Sequence, residues 1–235
     1  MSSPLLIGGP FATKISAPAA LLFDLDGTLL DSAPDLATAV DRMLLELGYG
    51  AAGVERVRRW VGNGSRKLVQ RALVFALDVN EDRLDDASID AAQNVFMRHY
   101  GDCCTERSRL YPGVRDALEH WHRLGIAMAC VTNKPARFTE PLIDFFGLRE
   151  FMPIAVSGDT LPVRKPDPAP LLFACERLRV PAQKTAMIGD SRNDVLAARA
   201  AGMPVVCVSY GYNYDRPVQL EEPDAVVNSF LELIG

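Results

Sequence analysis

Cysteine is scarce in this chain: 5 residues among 235, at positions 103, 104, 130, 175 and 207. Their number is odd and no two show Cys-x-x-Cys spacing, which argues against a disulfide framework or a cysteine-built metal centre. Cys130 and Cys207 fall in strand-like apolar runs and read as core residues, whereas the adjacent Cys103 and Cys104 are expected near the surface. Such usage fits a reducing cytoplasm. Long hydrophobic runs are missing too, so no segment is a candidate to span a bilayer. The N-terminal residues carry no basic leader, and Gly8, Gly9 and Pro10 cut their short apolar run; residues 1–18 are expected to be a flexible extension. Positive charge is not in excess. The 25 Lys and Arg against 30 Asp and Glu leave a formal net charge of −5, which argues against nucleic acid or an anionic membrane as partner. Internal repeats and low-complexity tracts are absent as well.

What is present is an ordinary globular composition, 49% hydrophobic and 23% charged, in a chain long enough for one large domain or a domain with an inserted lobe. Short apolar runs bounded by turn residues recur at 19–25, 126–132, 151–157, 185–190 and 204–209, the pattern of strands buried on both faces. Helical periods lie between them at 113–124, 136–146, 168–178 and 191–201. The alternation predicts a Rossmann-like α/β fold, a parallel sheet with helices on both faces and right-handed crossovers. Residues 33–108 break the rhythm. Leu36, Val40, Met43, Leu44 and Leu47 keep a helical period that Gly48 ends, and further helices are expected over 54–60, 65–77 and 81–100. The expected organisation is therefore an α/β core of 19–32 and 109–235, interrupted by an all-helical cap domain of 33–108.

Four polar clusters follow the apolar runs. In LLFDLDGTLLDS, Asp24 and Asp26 close the first strand, and a period of two points them to one side with Leu25 turned away. Ligands in open parallel sheets bind beyond the carboxyl ends of the strands. Two carboxylates so close call for a cation, and Mg2+ suits one or two carboxylates with phosphate oxygens and waters. Alternatively the pair caps the turn. In VTNKP, Thr132 and Asn133 can donate to an anion or simply cap the next helix. In RKPDP, Lys165 sits in a proline-stiffened loop, where it can neutralise a phosphate or stay solvated. In MIGDSRND, Asp190 ends another strand and is a candidate metal ligand; Asp194 can orient Lys165, support the metal, or cap the helix.

These four motifs, in this order, resemble those of the haloacid dehalogenase superfamily of phosphohydrolases, over nearly the whole chain after residue 18. Within it, DLDGTLLDSAPDLATAVD, GVERVRRWVGNG, GDSRNDVLAARAAG and YGYNY resemble the bacterial phosphoglycolate phosphatase family. The resemblance implies Asp24 as the nucleophile that forms an aspartyl-phosphate and Asp26 as the acid and base. It implies Mg2+ held by Asp24, the Asp26 carbonyl and Asp190. Thr132, Asn133 and Lys165 would bind the phosphoryl group, with Asp194 behind the metal shell. Phosphoryl transfer needs charge neutralisation and positioning, which such a set supplies.

The helical insert would close over the site. Gly62, Asn63 and Gly64 are the candidate substrate loop, with Arg66 and Lys67 as nearby cations; the alternative is a plain inter-helix turn. Tyr210, Tyr212 and Tyr214 are expected to pack in a loop. The three histidines read as surface or satisfied core residues, and Arg56, Arg58 and Arg59 as a solvated face. The expected function is Mg2+-dependent hydrolysis of 2-phosphoglycolate, with a monomer or homodimer and a small phosphorylated metabolite as partner. Alternatives are a related phosphatase or phosphomutase acting on another small phosphate ester, and a non-catalytic phosphometabolite sensor.

Overall fold

In the computed structural model, which describes residues 18–234, the chain opens with strand β1 (Ala20–Phe23), all four residues buried. A two-residue strand, β2 (Leu30–Asp31), leads out to four helices: α1 (Ala33–Glu46), α2 (Val54–Trp60), α3 (Ser65–Leu77) and α4 (Asp86–Cys103). Strand β3 (Arg109–Leu110) returns antiparallel to β2, with Leu30 opposite Leu110 and Asp31 opposite Arg109, so both crossings are tied at the base of the helical lobe. There follow α5 (Val114–Arg123), β4 (Ala127–Val131), α6 (Ala136–Phe145), β5 (Ile154–Val156), α7 (Ala169–Leu178), β6 (Thr185–Gly189), α8 (Arg192–Ala200), β7 (Val205–Val208) and β8 (Ala225–Val227).

Six strands form one parallel sheet in the order β5-β4-β1-β6-β7-β8. Alternation along β1 splits the core in two. Leu21 and Phe23 pack with Trp121, Met128, Ile188 and Phe230 on one face, while Leu22 packs with Val131, Leu171, Met187 and Val195 on the other. The lobe has its own apolar centre, in which Val40, Met43, Leu44, Val57, Val69 and Phe96 are joined by Phe138 of α6 and by Tyr212. Its helices start and stop on local signals. Pro34 occupies the first turn of α1, Gly48 ends it at φ +85°, and the Asp85 carboxylate accepts from the Ser88 N–H to cap α4.

Several expectations shift. The helix expected over 81–100 is a single 3-10 turn, Glu81–Arg83, followed by α4 from Asp86, because Asp85 is the stronger N-cap. The run 151–157 yields strand only at Ile154–Val156, after Pro153, and β8 was not anticipated. Cys103 and Cys104 are buried rather than near the surface: Ile89, Ala92, Phe96, Tyr100 and Cys103 share one stripe of α4, which carries the thiol inward. The expected extension, residues 1–18, lies outside the described residues apart from Pro18. No helix among the described residues is long and apolar enough to cross a membrane.

Candidate active site

Phe23 pairs with Cys130 on one side and Ile188 on the other, so the residues just past β1, β4 and β6 fall at one edge of the sheet. Asp24, Thr132 and Asp190 thus come together from three strand ends. The Asp24 N–H still donates to the Ile188 carbonyl (3.0 Å), which fixes its backbone. Gly27 then turns the chain at φ +86°. A Cβ there would stand 2.4 Å from Asp190 Oδ2, so glycine is what lets the first motif lie against the fourth.

Carboxylate oxygens of Asp24, Asp190 and Asp194 lie within 4.8 Å of one another. Lys165 joins them: its Nζ donates to Asp194 Oδ1 (2.7 Å) and the Val131 carbonyl (2.6 Å) and pairs with Asp24 Oδ1 (3.1 Å). Asp194 takes two of its three expected parts at once, holding Lys165 and capping the helix. Oδ1 holds Lys165, and Oδ2 accepts from the Asp190 and Ser191 N–H groups and the Ser191 hydroxyl, in a capping box that opens α8. Its oxygens are thereby occupied. Asp190 is held by the Thr28 hydroxyl (2.8 Å) and the Tyr212 N–H (2.5 Å). The Asp24 carboxyl is raised to about 6, first of all by burial; Lys165 opposes the rise, and Asp194 and Asp26 add to it. Asp190 is raised well above the ordinary carboxylate range by burial and then by Asp194 and Asp24. With Asp26 and Lys134 included, four carboxylates face two lysines; once all four are ionised the excess is two negative charges, which one divalent cation matches.

Lys134 was not anticipated. It is buried, and its Nζ donates to both oxygens of Asp26 (3.0 Å each) and to the hydroxyl of Tyr100 on α4 (2.6 Å). The Ser32 hydroxyl adds a 2.5 Å bond to Asp26 Oδ1. The only sequence signal was its place directly after Thr132 and Asn133; a lysine there is solvated by default, and its burial depends on the lobe.

Thr132 and Asn133 line the same cavity as Asp24 and Asp26. The Thr132 N–H is taken by the Val156 carbonyl, which leaves its hydroxyl as the donor available to a ligand. Asn133 acts as a clamp, its amide donating to the carbonyls of Gly62 (3.2 Å) and Lys165 (2.9 Å). Asn193 gives Gly62 a second such bond (3.1 Å). Gly62, Gly64 and Ser65 line the cavity, whose volume is about 40 Å3, together with Leu68, Phe96 and Phe138. Asn63 and Arg66 instead face a neighbouring cleft of about 460 Å3 that also reaches Arg71, Arg164 and Lys165. Arg66 pairs with Asp86 and Asp90, and Lys67 with Glu81, so within the lobe these cations have carboxylate partners and do not reach the inner cavity.

The loop tyrosines do more than pack. Tyr212 holds Asp190 through its N–H and donates its hydroxyl to Asp31, while Tyr214 receives the Asn193 amide (3.0 Å) over Gly62. Arg58 grips Asp31 with both nitrogens (3.0 and 3.2 Å) and Arg59 pairs with Asp215 (3.0 Å), so the arginine cluster is not simply a solvated face. His99 meets Glu46, and His122 lies edge-on to Phe151; neither lines the cavity that holds Asp24.

The family model of haloacid dehalogenase-like hydrolases matches residues 18–202. A phosphoglycolate phosphatase of Pseudomonas fluorescens is 49% identical over 217 residues, spanning 92% of this chain and 79% of that protein. One of Nitrosococcus oceani is 43% identical over 219 residues, 93% and 96% of the two chains. A crystal structure described as a predicted phosphoglycolate phosphatase from Haemophilus somnus superposes with a TM-score of 0.87 at 35% identity, covering 93% of this chain and 97% of that one. With its four strand-end motifs gathered at one sheet edge, this chain belongs to the haloacid dehalogenase-like hydrolases and, among them, to the bacterial phosphoglycolate phosphatase family.

Proposed function

We propose that the protein is a Mg2+-dependent phosphatase that hydrolyses 2-phosphoglycolate to glycolate and phosphate. The observation that carries this reading is the placement of Asp24 and Asp26 on one small cavity with Thr132, beside Lys165 and Asp190. Asp24 is the nucleophile. Its carboxylate oxygen forms a bond to phosphorus as the bond from phosphorus to the ester oxygen breaks, and the departing oxygen takes a proton from Asp26. In the second step Asp26 accepts a proton from water, whose oxygen bonds to phosphorus and releases the Asp24 carboxylate with inorganic phosphate. Lys165 and the Thr132 hydroxyl hold phosphoryl oxygens, Asn133 fixes the loop beside them, and Asp194 orients Lys165.

Asp24, Asp190 and the Asp26 carbonyl would hold Mg2+; Asp194 stands behind them, since its oxygens already accept four hydrogen bonds. When bound, the cation supplies positive charge to the transferring phosphoryl group. Residues 33–108 serve as a cap that keeps bulk water from the site.

The cavity beside Asp24 and Asp26 is narrow and walled by Leu68, Phe96 and Phe138 of the lobe and α6, which supports a phosphate on a short carbon chain over a bulkier sugar phosphate. The amino end of α3, which begins at Ser65 on the cavity wall, suits the carboxylate of such a molecule. Buried, unpaired thiols accord with a reducing cytoplasm.

The test is phosphate release from a panel of small phosphomonoesters with Mg2+. We expect 2-phosphoglycolate to have the highest kcat/KM, and Asp24→Asn to lose at least about a thousandfold in kcat while keeping its circular dichroism spectrum. No turnover of any ester sinks the phosphatase reading; a better ester sinks only the substrate.

A further inference from the structure

Lys134, the lysine of VTNKP, and Tyr100 form a buried unit around Asp26 to which none of the roles given above assigns a part. Lys134 Nζ bridges both carboxylate oxygens of Asp26 at 3.0 Å and reaches the Tyr100 hydroxyl at 2.6 Å. Tyr100 is held in turn. Its ring stacks on Phe96 at 5.5 Å between centroids and meets Phe138 edge-on at 4.7 Å, and Lys134 Nζ lies 4.6 Å from the ring centre. Both residues line the cavity with Asp24 and Asp26. The amino group thus has its bonds directed at a carboxylate and a phenol of this chain, not at open space. On Asp26 the bonds are unequal: Oδ1 receives Ser32 and Lys134, while Oδ2 receives Lys134 alone. Oδ2 is the oxygen with a lone pair left for a proton.

We propose that Lys134, anchored by Tyr100, is the positioning residue for Asp26, fixing its carboxyl so that Oδ2 faces the departing ester oxygen, and that it reads neither the phosphoryl group nor the substrate's carboxylate. The inference rests on the phosphatase reading above. A carboxyl free to rotate spends less time aligned with the ester oxygen, and alignment within hydrogen-bond reach is what general acid catalysis requires. Tyr100 contributes from α4, so the lobe supplies part of the acid's support.

Leaving-group chemistry separates the alternatives. Acetyl phosphate expels a carboxylate that needs no proton, ethyl phosphate expels an alkoxide and lacks a carboxylate, and 2-phosphoglycolate has both an alkoxide leaving group and a carboxylate. The measurement is kcat/KM, which reports the step that forms the aspartyl-phosphate. Lys134→Met should lower kcat/KM by about ten- to a hundredfold on 2-phosphoglycolate and on ethyl phosphate, and leave acetyl phosphate within about threefold. Tyr100→Phe, which keeps the ring packing, should give the same pattern with a smaller loss. In the Asp26→Asn background Lys134→Met should cost nothing further on 2-phosphoglycolate, since coupled groups are not additive. An equal loss on all three substrates overturns the proposal in favour of phosphoryl binding or general structural support. A loss confined to 2-phosphoglycolate overturns it in favour of carboxylate recognition. If Lys134→Met does not fold, Tyr100→Phe alone decides between these patterns. A wild-type protein inactive on all three compounds and on the rest of the phosphomonoester panel overturns the phosphatase reading itself, before any variant is compared.

Discussion

Asp194 shows how much one side chain can organise. One oxygen is spent on capping α8 and the other on Lys165, so the helix start and the cation that faces Asp24 are fixed by the same carboxylate. Asn at this position keeps the shape and loses the charge. Asp194→Asn should lower kcat/KM by roughly ten- to a hundredfold with little change in far-ultraviolet circular dichroism; activity within about twofold of wild type would show that Lys165 is oriented by other contacts.

The turn between α2 and α3 shows the same economy in an element. Asn133 and Asn193 both donate to the Gly62 carbonyl, tying this turn of the lobe to the ends of β4 and β6. Gly62 adopts φ +120°, and a Cβ on it would come within 2.7 Å of the Tyr214 hydroxyl. Tyr214 would have to give way, and its bond from Asn193 with it. Gly62→Ala should therefore destabilise by about 1–3 kcal/mol in urea titration and raise KM more than it lowers kcat, because the turn lines the cavity without touching Asp24. A wild-type urea midpoint and KM would mean that the turn is not held as tightly as its bonds indicate. The β2–β3 pair belongs to the same scale: Arg58 and Tyr212 both fasten Asp31 there, at the base of the lobe.

At the scale of the whole molecule the buried charge of the site sets a pH dependence. The Asp24 carboxyl stands at about 6 in the folded protein against an ordinary 3.8, and Asp190 is raised as well, in both cases first by burial. Between the unfolded and folded values the folded chain binds more protons, so metal-free protein loses stability as the pH rises through this window. Mg2+ competes with those protons, and its stabilising effect should grow over the same interval. Thermal midpoints taken with a chelator and with millimolar MgCl2 at about pH 5 and about pH 7.5 should show a larger Mg2+ increment at the higher pH. An equal increment at both would exclude the Asp24 and Asp190 pair as the cation's seat. The five buried thiols should meanwhile stay silent to a thiol reagent until the protein unfolds, Cys103 in particular, whose pKa burial pushes up to about 11.

The sequence by itself determined the parallel sheet, the helical interruption and the four strand-end motifs. Each of these is written locally, in a period of two or 3.6 and in the polar residues that end an apolar run, as at Phe23 followed by Asp24 or Ile188 followed by Gly189 and Asp190. It left open whether Asp194 caps a helix or holds a lysine, and the folded chain does both with different oxygens of one carboxylate. What only the tertiary structure decided are the contacts between distant segments. Lys134 is buried because Tyr100, 34 residues earlier, lies over it, and Asp190 is steadied by Tyr212, 22 residues later. Arg66, near enough in sequence to suggest a substrate contact, is turned to Asp86 and Asp90 by the packing of α3 on α4. Such pairings follow from the register of the sheet and the seat of the lobe, which no local period encodes.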